Sequence, residues 1–258
     1  MKITTLLENT SARPELSAEH GLSLYIETAE HRILFDMGQT ALFSHNASVL
    51  GIDLAAVDIA ILSHGHYDHG GGLARFLALN RTAPIYVNLH AFEPHYNGTE
   101  KYIGLDTALA AHRQLVFTDD TTVLADGLTL HSCAQAQKRH DLGAFDLTML
   151  EDGAFRPEDF RHEQYLLVEE NGQKILFSGC SHRGILDIVD WFRPDVLIGG
   201  FHFSKLPLDD TLRTYAQYLD SFPTRYYTCH CTGEKQYAFM RQTMKHLHYL
   251  SCGDTICL

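Results

Sequence analysis

The residues with the greatest capacity for chemistry lie between Ser63 and Gly72. Within six positions this stretch holds four side chains that can bind a metal: His64, His66, Asp68 and His69. Imidazole nitrogens and carboxylate oxygens are ligands of zinc, and also of iron and manganese. The stretch directly follows the apolar run 59–62, which predicts a buried strand. We therefore predict a metal site on a loop at the carboxyl end of that strand.

Three later predicted strands also end in candidate ligands. These residues are Cys180 and His182, then His202, then His230. A single histidine after a strand is more often a hydrogen-bonded loop residue. In layered α/β sheets, however, sites form beyond the carboxyl ends of strands. Four such strand ends in one chain therefore predict that their side chains converge on one centre.

The remaining pattern supplies the elements that must position these side chains. Alternating and continuous apolar runs predict strands, the first of them an edge strand, at 2–7, 22–27, 32–36, 84–89, 114–118, 128–132 and 163–170. Helical spacing predicts helices at 40–56, 72–79, 183–192, 209–222 and 234–247. Strands alternating with helices are typical of a layered α/β architecture.

Length and composition favour a single domain over residues 1–258, because no linker, charge block or low-complexity tract divides the chain. The pattern is weakest at about 90–160. That segment is interpreted as an insertion or lid region: residues 90–113 as an insertion that walls the pocket or as a surface helix pair, and the polar loop 138–141 as a candidate lid.

Charge and hydropathy exclude several classes of partner. The net charge of −12 argues against nucleic-acid binding, which needs a basic face. It does not exclude a small anionic substrate, because bound cations dominate their local field. No apolar run approaches the roughly 20 residues that span a membrane, and the N-terminus has no apolar signal segment. We expect a cytoplasmic protein with six reduced cysteines; assembly as a homo-oligomer is left open.

The motif His-x-His-x-Asp-His after an apolar strand resembles the signature of the metallo-β-lactamase superfamily. Together with 178–185, 198–202 and 230–233, it resembles the subgroup of 7,8-dihydropterin-6-methyl-4-(β-D-ribofuranosyl)aminobenzene-5′-phosphate synthase-like proteins. The resemblance extends from about Phe35 to the C-terminus and is loose between about 90 and 160. It implies an α/β fold, the αββα metallo-β-lactamase sandwich, with a one- or two-metal centre at one edge.

The resemblance also implies roles for particular residues. An aspartate in the place of Asp36 lies under the metal loop and braces it. The superfamily's usual third histidine is not evident. His131 is the nearest candidate but lies in a strand-like run, so His182 is expected to take that place. Cys180 stands where a bridging aspartate is common, and either binds a metal as a thiolate or packs beside it.

Chemistry suggests how the ligands divide. We predict that His64, His66 and His182 hold one divalent ion, and that Asp68, His69 and His230 hold a second. Zinc is the first expectation, with manganese or iron as alternatives. Ions roughly 3.5–4 Å apart can share a hydroxide, and Asp68 acts as a base if only the first site is filled. His202 is a candidate substrate contact or general acid, and Arg183 and Lys205 are candidate phosphate contacts.

The leading functional hypothesis is a metal-dependent hydrolase that uses a metal-bound hydroxide on a small anionic, phosphorylated ester. The resemblance adds a transferase that displaces diphosphate from a dihydropterin. Hydrolysis of a lactone or thioester, iron-based redox chemistry and a non-catalytic metal sensor are further alternatives. Function resides in the pocket rather than the fold, so the motifs leave the substrate open.

Overall fold

The computed structural model describes residues 1–258. The strands are β1 (Lys2–Leu7), β2 (Ser23–Glu27), β3 (Arg32–Phe35), β4 (Ile59–Ile61), β5 (Ile85–Asn88), β6 (His95–Asn97), β7 (Lys101–Tyr102), β8 (Leu115–Thr118), β9 (Thr121–Ala125), β10 (Leu128–His131), β11 (Leu147–Glu151), β12 (Ala154–Pro157), β13 (Tyr165–Glu170), β14 (Gln173–Phe177), β15 (Val196–Ile198), β16 (Arg225–Thr228), β17 (Leu247–Tyr249) and β18 (Thr255–Cys257). The helices are α1 (Leu42–Val49), α2 (Tyr67–Gly70), α3 (Leu73–Leu79), α4 (Ile185–Phe192), α5 (Asp210–Asp220) and α6 (Glu234–Met240), with 3₁₀ turns at Leu54–Ala56, Thr107–Leu109 and His230–Thr232.

Two seven-stranded sheets form the centre of the molecule. Their orders are β18-β1-β2-β3-β4-β5-β8 and β17-β16-β15-β14-β13-β10-β9. Apolar side chains from both sheets, such as Phe35 and Phe177, form one shared core between them. A second core packs the first sheet against α1 and α3, and a third packs the second sheet against α4, α5 and α6. The layers are therefore helix, sheet, sheet, helix, which is the αββα sandwich that the resemblance implied.

Strand β2 shows why the layering buries so much of the chain. Its alternating pattern predicts one buried face, but both faces are covered. Leu24 and Ile26 lie in the core between the sheets, whereas Tyr25 packs into the core under the helices. Ser23 is also buried, and its hydroxyl donates to the Asp36 carbonyl at 2.8 Å. A strand sandwiched between two layers accepts such polar residues only when they are hydrogen-bonded.

Two expectations about the elements are wrong. Strand β1 is not an edge strand, because β18 pairs along its outer side and the N-terminal amine donates to the Leu258 carbonyl at 3.0 Å. Residues 90–113 do not form a helix pair. Instead β6 and β7 join β11 and β12 in a separate four-stranded sheet, in the order β12-β11-β6-β7. Short strands in a polar segment give too little apolar periodicity to be recognised.

The parallel strands of the two sheets are the elements that direct the candidate ligands. β3, β4, β5 and β8 run parallel in the first sheet, and β14 to β17 run parallel in the second. The loops after β3, β4, β14, β15 and β16 carry the residues singled out above. None of the helices combines the length and apolar character required to cross a bilayer.

Candidate metal centre

The loops that follow the parallel strands turn sharply where they meet. Four non-glycine residues at these turns adopt left-handed φ angles: Asp36 at 61°, Ser181 at 58°, His202 at 55° and His230 at 47°. Such angles are uncommon for residues with a side chain, and they persist only where surrounding contacts impose them. Each turn directs a polar side chain into the same region between the sheets.

The first group of ligands, which we call the histidine set, consists of His64, His66 and His182. Their ring centroids lie 4.6 to 4.9 Å apart, and the ligand atoms lie within 4.8 Å of one another. Burial, reinforced by the neighbouring imidazoles, lowers the pKa of all three rings well below the usual value. The rings are therefore neutral at physiological pH, which is the form that binds metals.

The second group, which we call the mixed set, consists of Asp68, His69, Cys180 and His230. His69 Nε2 lies 3.1 Å from Cys180 Sγ and 3.2 Å from His230 Nε2. The Asp68 carboxylate lies 3.3 Å from His230 Nε2 and 3.9 Å from His69 Nε2. Ligands about 2.0–2.1 Å from a tetrahedral zinc are separated by roughly 3.3 Å. The spacing of the mixed set therefore fits a single small cation.

The histidine set passes a second test for metal binding. His64 Nε2 and both ring nitrogens of His182 are buried without a hydrogen-bond partner. Buried polar atoms are normally paired, and leaving one unpaired costs about 1–3 kcal/mol. In the mixed set, burial would raise the pKa of Asp68, but the His69 charge and hydrogen bonds from His20 and His230 hold it well below its usual value. The donor set fits divalent metal ions.

Asp36 braces this centre from below, as the sequence suggested. Its Oδ1 accepts from the Ser63 backbone N–H at 2.7 Å, and its Oδ2 accepts from the Ser63 hydroxyl and from His69 Nδ1, each at 2.7 Å. The Ser63 hydroxyl also lies 2.8 Å from His64 Nδ1. One carboxylate therefore orients a candidate ligand of each set, and the remaining nitrogen of each ring would be the one to hold a metal.

Other bracing residues were missed from the sequence. Asn9 Oδ1 accepts from His230 Nδ1 at 2.8 Å, and the buried Glu8 carboxylate accepts from the His230 backbone N–H at 2.6 Å. Glu163 accepts from the backbone N–H groups of His182 and Arg183 at 2.7 and 3.0 Å. Glu8 and Asn9 directly follow β1, so the strand-end rule that singled out His202 and His230 would have found them.

An open cavity of about 380 Å³ lies above both sets. His66, Asp68, Cys180, His182 and His230 form its floor. Two lysines, Lys101 and Lys205, lie at its wall, where Lys101 Nζ donates to the Tyr67 hydroxyl at 3.3 Å and Lys205 Nζ donates to the Phe145 carbonyl at 3.0 Å. The remaining lining residues are His20, Tyr67, Asn97, Ile103, Leu147, His202, Ser204 and Cys231.

The predicted substrate-contact residues divide between two places. Lys205 and His202 line the cavity, and the His202 ring centroid lies 4.2 Å from that of His182. Arg183 does not reach it. Its guanidinium is buried and donates to the Asp159 and Ala134 carbonyls, each at 3.2 Å, and it lines a different cavity. The turn at residues 182–183, which precedes α4, directs the next side chain away from the metal floor, so Arg183 is not placed to contact a substrate there.

Part of the segment at 90–160 lines the cavity. Asn97, Lys101, Ile103 and Leu147 form one wall of the cavity. The loop at 138–141 is fastened elsewhere, since the Arg139 and His140 backbone N–H groups donate to the Asp187 carboxylate on α4. That loop is not among the cavity walls, whereas the small third sheet is.

This constellation on an αββα sandwich defines a class of protein. Residues 17–222 match the family model described as the metallo-β-lactamase superfamily. The chain belongs to the metallo-β-lactamase superfamily, whose members generally bind divalent metals.

The chain is similar to particular relatives over nearly its full length. It is 28% identical to the 7,8-dihydropterin-6-methyl-4-(beta-D-ribofuranosyl)-aminobenzene-5'-phosphate synthase of Methanocaldococcus jannaschii, covering 99% of this chain and 96% of that protein. It is 26% identical to the uncharacterized protein MJ0448 of the same organism, covering 90% and 91%. The crystal structure of Tm1679, a metal-dependent hydrolase of the beta-lactamase superfamily, superposes with a TM-score of 0.84 at 28% identity, covering 100% and 99%.

Proposed function

We propose that the protein is a metal-dependent hydrolase that acts on a small anionic, phosphorylated ester. The observation that carries this proposal is that members of both ligand sets form the floor of one open cavity. The histidine set would hold one divalent ion and the mixed set a second. When bound, such ions supply Lewis acidity and a water-derived nucleophile at neutral pH.

The walls of the cavity support an anionic substrate. In a chain with a net charge of −12, two lysines face the same opening. Lys101 and Lys205 are exposed, so they can leave their present hydrogen-bond acceptors for a phosphate at little cost. The charge of the cavity walls thus supports an anionic substrate, and the candidate metal ligands of the floor support hydrolysis.

His202 is positioned to hold or transfer a proton. Its Nδ1 is buried without a hydrogen-bond partner, and its ring packs beside His182 on the cavity wall. A general acid must lie within hydrogen-bond reach of the leaving group. We assign His202 to contact the leaving-group side of the substrate, and Asp68 to metal binding rather than to base catalysis, because its carboxylate lies among the ligand atoms of the mixed set.

A transferase is the second candidate, supported by the full-length similarity to the methanogen synthase. The volume of the cavity favours hydrolysis instead. Ligand pockets commonly measure roughly 300–1,000 Å³, and about 380 Å³ lies near the lower end. One small ester and a water molecule fit that space more readily than a pterin together with an aryl ribosyl phosphate.

A substrate panel with and without chelator tests the proposal. We expect hydrolysis of phosphorylated esters that disappears with chelator and returns with added metal. Lys205→Ala should raise KM for phosphorylated substrates by roughly tenfold, the effect of about 1.4 kcal/mol, while Lys2→Ala, a matched control on β1 far from the cavity, should not. Hydrolysis that survives chelation would contradict the proposal. Product formed only when a pterin diphosphate and an aryl ribosyl phosphate are both supplied would favour the transferase.

A further inference from the structure

A second cluster of ligand-type side chains lies behind His66, on the side away from the cavity. His66, His95, Glu158 and His162 are all buried, and their ligand atoms lie within 4.8 Å of one another. The rings of His95 and His162 stack at 4.0 Å. His95 belongs to β6, while Glu158 and His162 follow β12, so the third sheet brings them together.

Hydrogen-bond directions decide what this cluster can do. His162 Nδ1 lies 2.8 Å from the backbone N–H of Gly65. A backbone N–H can only donate, so His162 Nδ1 accepts and the proton of this ring is on Nε2. That Nε2 lies 3.7 Å from the Glu158 carboxylate. Because a protonated nitrogen does not bind a cation, His162 is not a metal ligand and the cluster is not a third metal site.

The same reasoning assigns the protons of the other side chains in the cluster. The Glu158 carboxylate lies 2.8 Å from His95 Nδ1, which therefore carries the proton and donates to it. The lone pair of His95 is then on Nε2, an atom that is buried and has no acceptor or donor of its own. His66 lines the metal cavity, but its Nε2, like that of His95, is buried and has no hydrogen-bond partner.

We infer that His95 and Glu158 form a relay behind the metal ligand His66. His66 would hold an ion through Nδ1, which would place its proton on Nε2, facing His95 Nε2; neither of these Nε2 atoms has another hydrogen-bond partner. His95 in turn donates through Nδ1 to Glu158. The carboxylate at the end of the relay fixes the tautomer of His66 and increases its basicity as a ligand. His95 and Glu158 are positioning residues, and the inference rests on the proposed metal centre but not on its substrate.

The packing of the metal loop supports this arrangement. A Cβ atom at Gly65 would lie 2.1 Å from the Ala91 carbonyl oxygen, so this position requires glycine and presses the metal loop against the segment that carries His95. The Tyr67 backbone N–H donates to the Ile103 carbonyl at 2.8 Å on the other side of His66. Residues just before β6 and just after β7 therefore contact the loop on both sides of this ligand.

Metal affinity tests the relay without any need for activity. In wild-type protein, His95→Phe, His95→Gln and Glu158→Gln, zinc affinity is measured by competition with a chromophoric chelator, and thermal stability is measured on the metal-free forms. We expect Glu158→Gln and His95→Phe to lower the affinity for one of the bound ions by about 10- to 100-fold. This is the usual effect of losing the residue that is hydrogen-bonded to a metal ligand. His95→Gln should recover part of the loss, because its amide can accept from His66 and donate to Glu158.

A matched control exists in the same segment. His90 pairs with Glu93 at 2.7 Å, as His95 does with Glu158, but that pair contacts no proposed ligand. His90→Phe should leave zinc affinity unchanged. Affinity unchanged in both His95→Phe and Glu158→Gln would overturn the relay, as would the loss of a third bound ion with the other two retained. Wild-type protein that binds no divalent ion would overturn the proposed function itself.

Discussion

The two ligand sets differ in how firmly the protein holds them. Each imidazole and carboxylate of the mixed set has a polar partner: Asp36 holds His69, Asn9 holds His230 and His20 lies 3.2 Å from Asp68. In the histidine set, only His64 has a side-chain hydrogen bond, while His182 has none on either ring nitrogen. The mixed set is thus arranged before any ion arrives, and the histidine set depends more on the ion for its order.

Charge separates the sets in the same direction. The mixed set includes the carboxylate of Asp68, and the Asp36 and Asp68 carboxylates raise the pKa of His69 despite the opposing effect of burial. The histidine set contains only neutral rings. A cation is therefore bound more tightly in the mixed set, whereas an ion held by three neutral imidazoles keeps more of its charge for the substrate. We expect two unequal binding steps when the metal-free protein is titrated with zinc.

The largest effect should come from removing the central ligand of the mixed set. His69→Ala should abolish the tighter zinc-binding step and reduce activity to that of the chelated protein, because Asp68 and His230 then lose the ligand between them. His182→Ala should abolish only the weaker step. Titration calorimetry distinguishes the two. If His182→Ala instead lost the tighter step, the histidine set and not the mixed set would bind zinc more tightly.

A smaller effect is expected at the residue that serves both sets. Asp36→Asn preserves the left-handed backbone, which asparagine tolerates, but an amide cannot accept from Ser63 N–H, Ser63 O–H and His69 Nδ1–H together. We expect zinc affinity to fall about 10- to 100-fold at both steps. The metal-free protein should lose about 1–3 kcal/mol of its free energy of unfolding. Denaturant titration measures the second quantity, and an effect on one step alone would contradict the shared role.

The smallest effect should follow from changing Cys180. Its Sγ lies 3.1 Å from His69 Nε2, within the ligand spacing of the mixed set. Cys180→Ser should weaken binding less than Asp36→Asn, because Asp68, His69 and His230 remain. The sharper measurement is the spectrum of the cobalt-substituted protein, in which a thiolate ligand gives a charge-transfer band. A band that persists in Cys180→Ser would show that Cys180 only packs beside the metals.

Much of this centre could be predicted because its chemistry is compact in the sequence. His64, His66, Asp68 and His69 occupy six positions, and Cys180, His182, His202 and His230 each follow an apolar run. Strand ends at one edge of a layered sheet must meet, so the convergence followed from pattern alone. The alternation of strands and helices predicted a layered α/β architecture, and the resemblance to the metallo-β-lactamase superfamily implied the αββα sandwich.

The parts that could not be predicted depend on long-range packing. His95 and Glu158 lie 63 residues apart in short strands or loops, and no local periodicity connects them. Glu8 and His230 are separated by 222 residues. Arg183, a candidate phosphate contact from the sequence, lines a different cavity from its neighbour His182, because the turn before α4 points the two side chains to different places.

The pairing of β1 with β18 has a consequence for the connectivity of the chain. The amine of Met1 and the carbonyl of Leu258 are hydrogen-bonded, and they lie at the end of their strands away from Glu8, Asn9 and the metal loops. A circularly permuted chain, joined through these ends and opened at the exposed turn Asp152–Gly153, would keep every ligand on its own strand. The order of the strands along the sequence can therefore be changed without changing the geometry of the centre.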